Sequence, residues 1–224
     1  MKVSEAILTR RSIRAFLQKP VARATIERIL DLARRAPSGG NLQPWKVYVL
    51  TGAPLERLVE AVTDRVAEMP QGEGTEYPIY PPALTEPYRS WRRKVELDLY
   101  DILGIARDDK AGRLAQAARN YIFFDAPVGL LFTIDRQMGV GQFADLGMFL
   151  ENIMLLAREF GLDTCPQEAW AQWHKTVTEL VGIADNEMLF CGMALGYADW
   201  QAVVNKLETE RALVSEFASF SGFD

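Results

Sequence analysis

The spacing of apolar residues along the chain predicts several amphipathic helices. In residues 23–36, Ile26, Ile29 and Ala33 recur at helical spacing, and Pro37 ends the pattern. The same periodicity predicts further helices over residues 55–69, about 91–119 and 141–160. The last of these is the most strongly apolar, and Gly161 stands where a C-terminal stop is expected. A central or interface position is expected for this helix.

Strands are fewer and shorter. Three apolar runs bounded by polar or turn-forming residues predict them, at residues 47–50, 129–135 and 188–197. Because the helices outnumber the strands and the strands are brief, the pattern indicates an α+β layer fold with a small sheet.

Two segments interrupt this regular pattern. Residues 69–93 are rich in proline and glycine and form a long irregular excursion, and residues 199–224 form a polar C-terminal extension. The excursion also carries aromatic residues, which argue against pure disorder: Tyr77, Tyr80, Tyr88 and Trp91. No linker composition divides the chain, so residues 1–224 are expected to form a single domain.

Composition and charge exclude several classes of protein. The apolar content of 49% is ample for a core, and the net charge of −5 argues against a general nucleic-acid binder. No run approaches 18 consecutive apolar residues and no signal peptide is recognisable, so neither a membrane span nor export is expected. Cys165 and Cys191 do not form a C-x-x-C pair. Two isolated cysteines are typical of a protein in a reducing cytoplasm, and they do not predict a structural zinc site.

Because the chain has only one histidine, His174, further kinds of active site are excluded. A Ser-His-Asp hydrolase would have to use it, yet the chain lacks a G-x-S-x-G elbow. Zinc sites with several histidines are impossible, and neither a calcium loop nor a phosphate loop of the G-x-x-x-x-G-K-[ST] type is present, so no metal site is expected. His174 is better explained as a surface or helix-packing residue. If the protein is an enzyme, its reactivity is expected to come from a bound organic cofactor.

Two segments carry candidate binding chemistry. Residues 36–45, APSGGNLQPW, place helix breakers and amide and hydroxyl groups between a helix and a strand. Taken alone, this segment is better explained as a simple turn than as a binding segment. Arg10, Arg11 and Arg14 flank Ser12, and clustered guanidiniums repel one another unless an anion or carboxylates lie between them. A solvated basic face paired with acids is the alternative for this run.

Four stretches in this order resemble the nitroreductase family of FMN-dependent oxidoreductases. They are RRSIRAF, APSGGNLQPWKVYVLTG, GLDTCPQEAW and the tail NKLETERALVSEFASFSGF, so the resemblance spans essentially the whole chain. It implies a three-layer α+β fold in which helices flank a small mixed sheet. It also implies an intertwined homodimer with FMN at the interface, although surplus apolar surface buried within one chain remains an alternative.

The resemblance assigns cofactor-binding roles residue by residue. The basic run matches residues that hold the FMN phosphate and ribityl chain: Arg10, Arg11, Ser12 and Arg14. Arg14 is the candidate for the N1/O2 edge of the ring, where a fixed cation stabilises the charge left by reduction. Two residues of the tail match phosphate contacts, Lys206 and Arg211. Glu208 departs from the family, which often carries a basic residue there.

Two further stretches match contacts to the flavin. Pro37, Ser38, Gly39 and Asn41 match a segment that lies against flavin bound largely by the other subunit. Pro166, Gln167, Glu168 and Ala169 match main chain that faces the ring, with an amide directed to N5. Many relatives have glycine at the position of Ala169. Because the amide tunes hydride transfer, no catalytic side chain is expected.

The implied activity is a ping-pong reaction in which NADH or NADPH reduces FMN and a small electron-poor aromatic then takes the hydride. Nitroaromatics, reduced to hydroxylamines, are the expected acceptors. Alternatives that stay open are flavin enzymes of the same fold acting on quinones or halogenated aromatics or destroying flavin with oxygen, a non-catalytic FMN-binding protein, and a non-flavin regulatory dimer. The aromatic residues of the excursion either form a wall of the acceptor pocket or simply anchor the loop.

Overall fold

The computed structural model describes residues 1–223, so Asp224, the end of the predicted extension, lies outside it. Eight α-helices are present in these residues: α1 (Val3–Thr9), α2 (Arg23–Ala33), α3 (Ala53–Val66), α4 (Tyr88–Leu103), α5 (Lys110–Ala118), α6 (Val140–Glu159), α7 (His174–Val181) and α8 (Val214–Phe217). The five strands are β1 (Phe16–Leu17), β2 (Trp45–Leu50), β3 (Val128–Asp135), β4 (Asp163–Gln167) and β5 (Glu187–Ala198).

The predicted helices are confirmed, with one difference. The helix expected over about residues 91–119 is two helices, α4 and α5. Gly104 separates them because it adopts a left-handed conformation, with φ of 67°, and its N–H reaches back to the last turn of α4. Gly161 ends α6 in the same way, with φ of 70°.

The sheet is built around β5. Strand β3 pairs with one edge of β5 and carries β2 on its far side, while β4 and the short β1 pair with β5 as well. All four ladders are antiparallel, although a mixed sheet was expected. Within residues 1–223 the only parallel pairing is an isolated bridge between Ser12 and Thr164.

Sequence patterns missed β1 and β4. Strand β1 has two residues, too few for any periodicity to show. Strand β4 has the sequence DTCPQ, which contains Pro166 and polar residues instead of an apolar run. A proline is tolerated there because, in the described part of the chain, β4 forms a ladder only with β5 and its other side makes just the isolated bridge from Thr164 to Ser12.

Each face of the sheet carries its own core. Leu131 of β3 points into a cluster that includes Phe123 and Trp170, whose rings stack with centroids 4.4 Å apart. Its neighbours Leu130 and Phe132 point into a second cluster, built from α2, α6 and the sheet. Because successive residues of a strand face opposite sides, the apolar run of β3 from Val128 to Phe132 is buried on both faces of the sheet. The three-layer α+β fold implied by the resemblance is therefore confirmed.

Helix α6 is long and apolar enough to cross a membrane by those two criteria alone. Three of its largest buried side chains, Leu146, Phe149 and Ile153, lie in the second core cluster. The apolar character of α6 is thus accounted for on that side by packing against the sheet.

The irregular excursion is held at its start by buried charge. The carboxylate of Glu73 accepts hydrogen bonds from the backbone N–H groups of Lys175 and Thr176, each at 3.0 Å, at the start of α7. It also accepts from the hydroxyl of Thr176 at 2.7 Å and from Arg65 Nη1 at 3.0 Å. We call Arg65, Glu73 and Thr176 the Glu73 cluster. It fixes the excursion against two helices.

Candidate functional site

The arginine run lies in a cavity of about 520 Å³ that we call the arginine cavity. It lies where α1, α6 and the C-terminal tail meet. Its lining consists of Ile7, Leu8, Arg10, Arg11, Ser12, Arg14, Glu151, Leu207, Glu208, Thr209 and Arg211. The structure therefore brings together the N-terminal run and Arg211, which are about 200 positions apart in sequence.

Local backbone geometry explains how the run faces this cavity. Helix α1 ends at Thr9, and Arg10 is already extended, with φ of −63° and ψ of 129°. The chain then runs beside β4, where the Ile13 N–H donates to the carbonyl of Thr164 at 3.0 Å. Ile13 is fully buried in the core, so its side chain anchors the run while Ser12 and Arg14 line the cavity.

A buried asparagine joins this run to the tail. Asn205 is 2% exposed, and its Oδ1 accepts a hydrogen bond from the Arg14 backbone N–H at 2.7 Å. Its Nδ2 donates to the carbonyls of Ala15 and Asp199, each at 2.8 Å. Asn205 thus fixes the base of the tail relative to the arginines. Sequence reasoning missed it, because a lone asparagine near a polar tail gives no sign of burial.

The cavity holds more positive than negative charge. Four arginines line it against two glutamates, Glu151 and Glu208, which leaves a surplus of two positive charges among the described lining residues. Arg10 Nε lies 3.7 Å from Glu151, and Arg11 contacts the carboxylate of Glu208 directly. Arg14 Nη1 donates to the carbonyl of Ser12 at 3.2 Å, so its only protein acceptor in residues 1–223 is neutral. Such a surplus suits an anionic ligand.

The loop at residues 36–45 lies outside the lining of the arginine cavity. Its ends are buried at Ala36 and Pro44, whereas residues 39–43 are exposed. The Gly39 N–H donates to the buried carboxylate of Asp145 at 3.1 Å, and the Gln43 N–H donates to Ser38 Oγ at 3.0 Å. Gly40 and Asn41 both adopt left-handed conformations, with φ of 59° and 56°. The loop is therefore a fixed turn that presents bare backbone to the outside. Pro37, also exposed, lies at its start.

The stretch Pro166–Ala169 lies at the end of β4, close to the arginines. Burial raises the pKa of the Cys165 thiol to about 11, and the positive charges of Arg14 and Arg10 partly oppose that rise. The bridge between Ser12 and Thr164 and the hydrogen bond from Ile13 to Thr164 make the run and β4 neighbours. Burial also raises the pKa of Glu168, which is half-buried.

Gln167 is buried and holds this turn in place. Its Nε2 donates to the carbonyl of Asn120 at 2.7 Å, while its Oε1 finds no partner among residues 1–223. Ala169 packs against the first core cluster.

Some candidate residues lie elsewhere. Lys206 ends a short helical turn, Val203–Lys206, and is exposed outside the lining of the cavity. His174 begins α7 and is mostly buried, with Nδ1 3.6 Å from Glu76 Oε2, which agrees with a helix-packing role.

Sequence reasoning also missed Asp145 and Glu151, although acids within the most apolar helix were a usable signal. No group of metal ligands is found within residues 1–223.

The aromatic residues predicted for the excursion divide into two groups, and two of them, Tyr88 and Trp91, lie in the first turn of α4. Tyr77 is anchored, because its hydroxyl donates to the carbonyl of Phe190 at 2.5 Å and its ring stacks on that residue. Tyr80 lies under the guanidinium of Arg92, and Tyr88 packs edge-on against Trp91. Trp91 also lines a second cavity of about 720 Å³ between α4 and the tail. The anchoring role therefore fits Tyr77, whereas the other three remain on the surface.

Known proteins are similar to this chain in sequence and fold. The profile of the Nitroreductase family matches residues 7–197. The chain is 39% identical to the chloronitrobenzene nitroreductase of Comamonas testosteroni, across 97% of this chain and 96% of that protein. This chain therefore belongs to the nitroreductase family.

Solved structures give the same result. The FMN- and NADPH-dependent nitroreductase NfnB from Sphigopyxis sp. strain HMH superposes with a TM-score of 0.96 at 48% identity, covering 100% of both chains. The FMN-dependent NfnB from Mycobacterium smegmatis, solved in complex with NADPH, superposes with a TM-score of 0.93 at 31% identity, covering 98% of each chain.

Proposed function

We propose that this protein is an FMN-dependent oxidoreductase that uses NADPH or NADH to reduce nitroaromatic compounds. The observation that carries the proposal is the arginine cavity, whose surplus of two positive charges lies beside β4 in a chain of the nitroreductase family. The names of its relatives, reductases of chloronitrobenzene, nitrobenzene and 4-nitrobenzoate, support the choice of acceptor.

The residues of the cavity fit the phosphate of FMN. A phosphate monoester carries nearly two negative charges near neutral pH, which equals the surplus of the lining. Guanidiniums offer paired donors that match phosphate oxygens, and the Ser12 hydroxyl adds one more. Arg10, Arg11, Arg14 and Arg211 are the proposed phosphate and ribityl contacts. Lys206 is a weaker candidate, because it is exposed outside the lining.

When bound, FMN supplies two-electron chemistry, taking a hydride from the nicotinamide cofactor and giving it to the acceptor. The chain's own contribution is positioning and electrostatics. Arg14 provides a fixed positive charge, held by Asn205 through its backbone, that stabilises negative charge developing at the ring. The main chain of Pro166–Ala169 is fixed by the ladder to β5 and by the Gln167 side chain. No proton-transferring side chain is required by this assignment.

We also propose a homodimer. Large apolar side chains are exposed on α1 and along the tail: Val3, Ile7, Leu8, Leu213, Phe217, Phe220 and Phe223. A monomer seldom leaves this many large apolar side chains uncovered in two short segments. The loop with Pro37, Ser38, Gly39 and Asn41 lies outside the arginine cavity of its own chain, which supports contact with a cofactor held by the partner. Two buried, free cysteines are in keeping with a cytoplasmic location.

The visible spectrum of the purified protein, recorded before and after anaerobic addition of NADPH or NADH, tests the cofactor. We expect flavin absorbance that the reductant bleaches and that 4-nitrobenzoate or chloronitrobenzene restores. A colourless protein would contradict FMN binding, and a yellow protein that neither nucleotide bleaches would indicate flavin binding without turnover. Faster turnover of quinones or halogenated tyrosines than of any nitroarene would assign the other acceptors instead.

A further inference from the structure

Glu208 is an acid inside a cavity otherwise suited to an anion. It lies on the extended tail after the turn Val203–Lys206, and its carboxylate contacts the guanidinium of Arg11. Its side chain is 75% exposed, against 34% for Arg11. The residues joining it to α8 form neither helix nor strand, so few local contacts hold Glu208 against Arg11.

A guanidinium that pairs with a carboxylate has fewer donors left for a phosphate. Exposed ion pairs contribute about 0–1 kcal/mol, so a bound dianion can displace Glu208 from Arg11. The displaced carboxylate still lies on the rim of the same cavity and repels the phosphate. Both effects weaken binding of a phosphorylated ligand, and neither affects a ligand without phosphate.

Glu151 does not act in the same way. It projects from α6 and its Oε1 lies 3.7 Å from Arg10 Nε, which is longer than a hydrogen bond. Its charge is part of a rigid helix, whereas Glu208 belongs to the tail and engages Arg11 directly.

We propose that Glu208 is a specificity-determining residue that competes with the cofactor phosphate for Arg11. The protein therefore holds FMN less tightly than the same cavity with a neutral or basic residue would. It also discriminates less between FMN and riboflavin, which differ by that phosphate. This inference rests on the proposed assignment of the arginine cavity to the phosphate of FMN.

The test compares Glu208→Gln with the unaltered protein, each loaded with FMN or with riboflavin. Flavin fluorescence is followed as the holoprotein is diluted, which gives the dissociation constant. We expect the constant for FMN to fall about three- to tenfold, in line with a displaced surface ion pair plus one removed repulsion. The constant for riboflavin is expected to stay unchanged. Glu208→Lys is expected to tighten FMN further still.

Glu210→Gln is the matched control. Glu210 is an exposed tail acid two residues away, but its carboxylate lies 3.4 Å from Lys94, at the second cavity. We expect it to leave both dissociation constants unchanged. On an Arg11→Gln background, the gain from Glu208→Gln is expected to shrink to less than half.

Two outcomes separate this inference from the proposed function. Equal FMN affinity in the Glu208 variants and the unaltered protein, or equal tightening of riboflavin, overturns the competition while leaving FMN binding intact. An unaltered protein that retains neither flavin overturns the proposed function, and the inference with it.

Discussion

The arginine cavity and the Glu73 cluster both join distant segments through charge, but they differ in how completely that charge is used. Glu73 is 7% exposed and accepts four hydrogen bonds, one of them from the guanidinium of Arg65. In the arginine cavity, four guanidiniums share two carboxylates, and Arg14 has only a carbonyl acceptor in the described chain. The first arrangement is complete without a ligand, whereas the second is suited to one.

The direction in which the pKa of Glu73 is shifted agrees with this complete pairing of its charge. Burial by itself raises the pKa of this carboxyl, but hydrogen bonds from Thr176 and the charge of Arg65 outweigh it, so the net shift is downward. A buried acid whose partners more than offset its loss of hydration stabilises the fold. Clustered charge in a sequence therefore indicates a ligand only when the structure leaves part of it unpaired.

The largest expected effect is on stability. Glu73→Ala should lower the free energy of unfolding by about 2–3 kcal/mol, because it leaves two N–H groups at the start of α7 without their acceptor and Arg65 without its carboxylate partner. Chemical denaturation measures the loss. Glu68→Ala, at an exposed position of the same region, is the control and should change it little. A loss below about 0.5 kcal/mol in Glu73→Ala would contradict the view that the Glu73 cluster stabilises the fold without a ligand.

Arg14→Ala should act on the cofactor instead. We expect the FMN dissociation constant to rise about ten- to thirtyfold, equivalent to about 1.4–2 kcal/mol, with little change in stability because Asn205 holds the Arg14 backbone. Arg23→Ala is the control, since Arg23 is 91% exposed and pairs with Glu27 on α2. Flavin retention that is equal in the two variants would show that the arginine run is only a charged face.

Lowering the pH should weaken the stabilising contribution of the Glu73 cluster. Because the pKa of folded Glu73 lies below its ordinary value of 4.5, its contribution to stability is complete above about pH 4.5 and is lost as the pH falls through the folded pKa. Glu73→Gln should therefore make unfolding less dependent on acid, because the glutamine does not titrate. Denaturation curves at pH 6 and near pH 3 measure this difference. Identical acid dependence in both proteins would mean that Glu73 titrates alike folded and unfolded.

The smallest effect expected is at Tyr77, just after the Glu73 cluster. Tyr77→Phe should cost about 0.5–1.5 kcal/mol, because the hydrogen bond to the carbonyl of Phe190 is lost while the ring stacking remains. Tyr80→Phe serves as the control at an exposed position. If thermal unfolding shows the two variants to be equally stable, the excursion is anchored by the Glu73 cluster and not by Tyr77.

Much of the fold could be predicted from periodicity. Ile26, Ile29 and Ala33 fell on one face of α2 and are all buried, because an amphipathic helix must cover its apolar stripe. Strand β4 could not be predicted from its own sequence, since this segment becomes a strand only by pairing with β5 in the buried interior. The same holds for the break between α4 and α5, where Gly104 could equally have stood inside a helix.

The candidate site divides in the same way. The sequence determined which chemistry is available: an arginine run with a serine, a glycine-rich loop, one histidine and no metal motif, together with a resemblance to one family. The tertiary structure decided which of these groups meet. It placed Arg211 and Glu208 beside Arg11, excluded Lys206 from the lining and buried Asn205 beneath Arg14. The reason is physical, since residue type fixes charge and hydrogen-bonding capacity, whereas burial, pairing and the surplus of charge depend on contacts between distant segments.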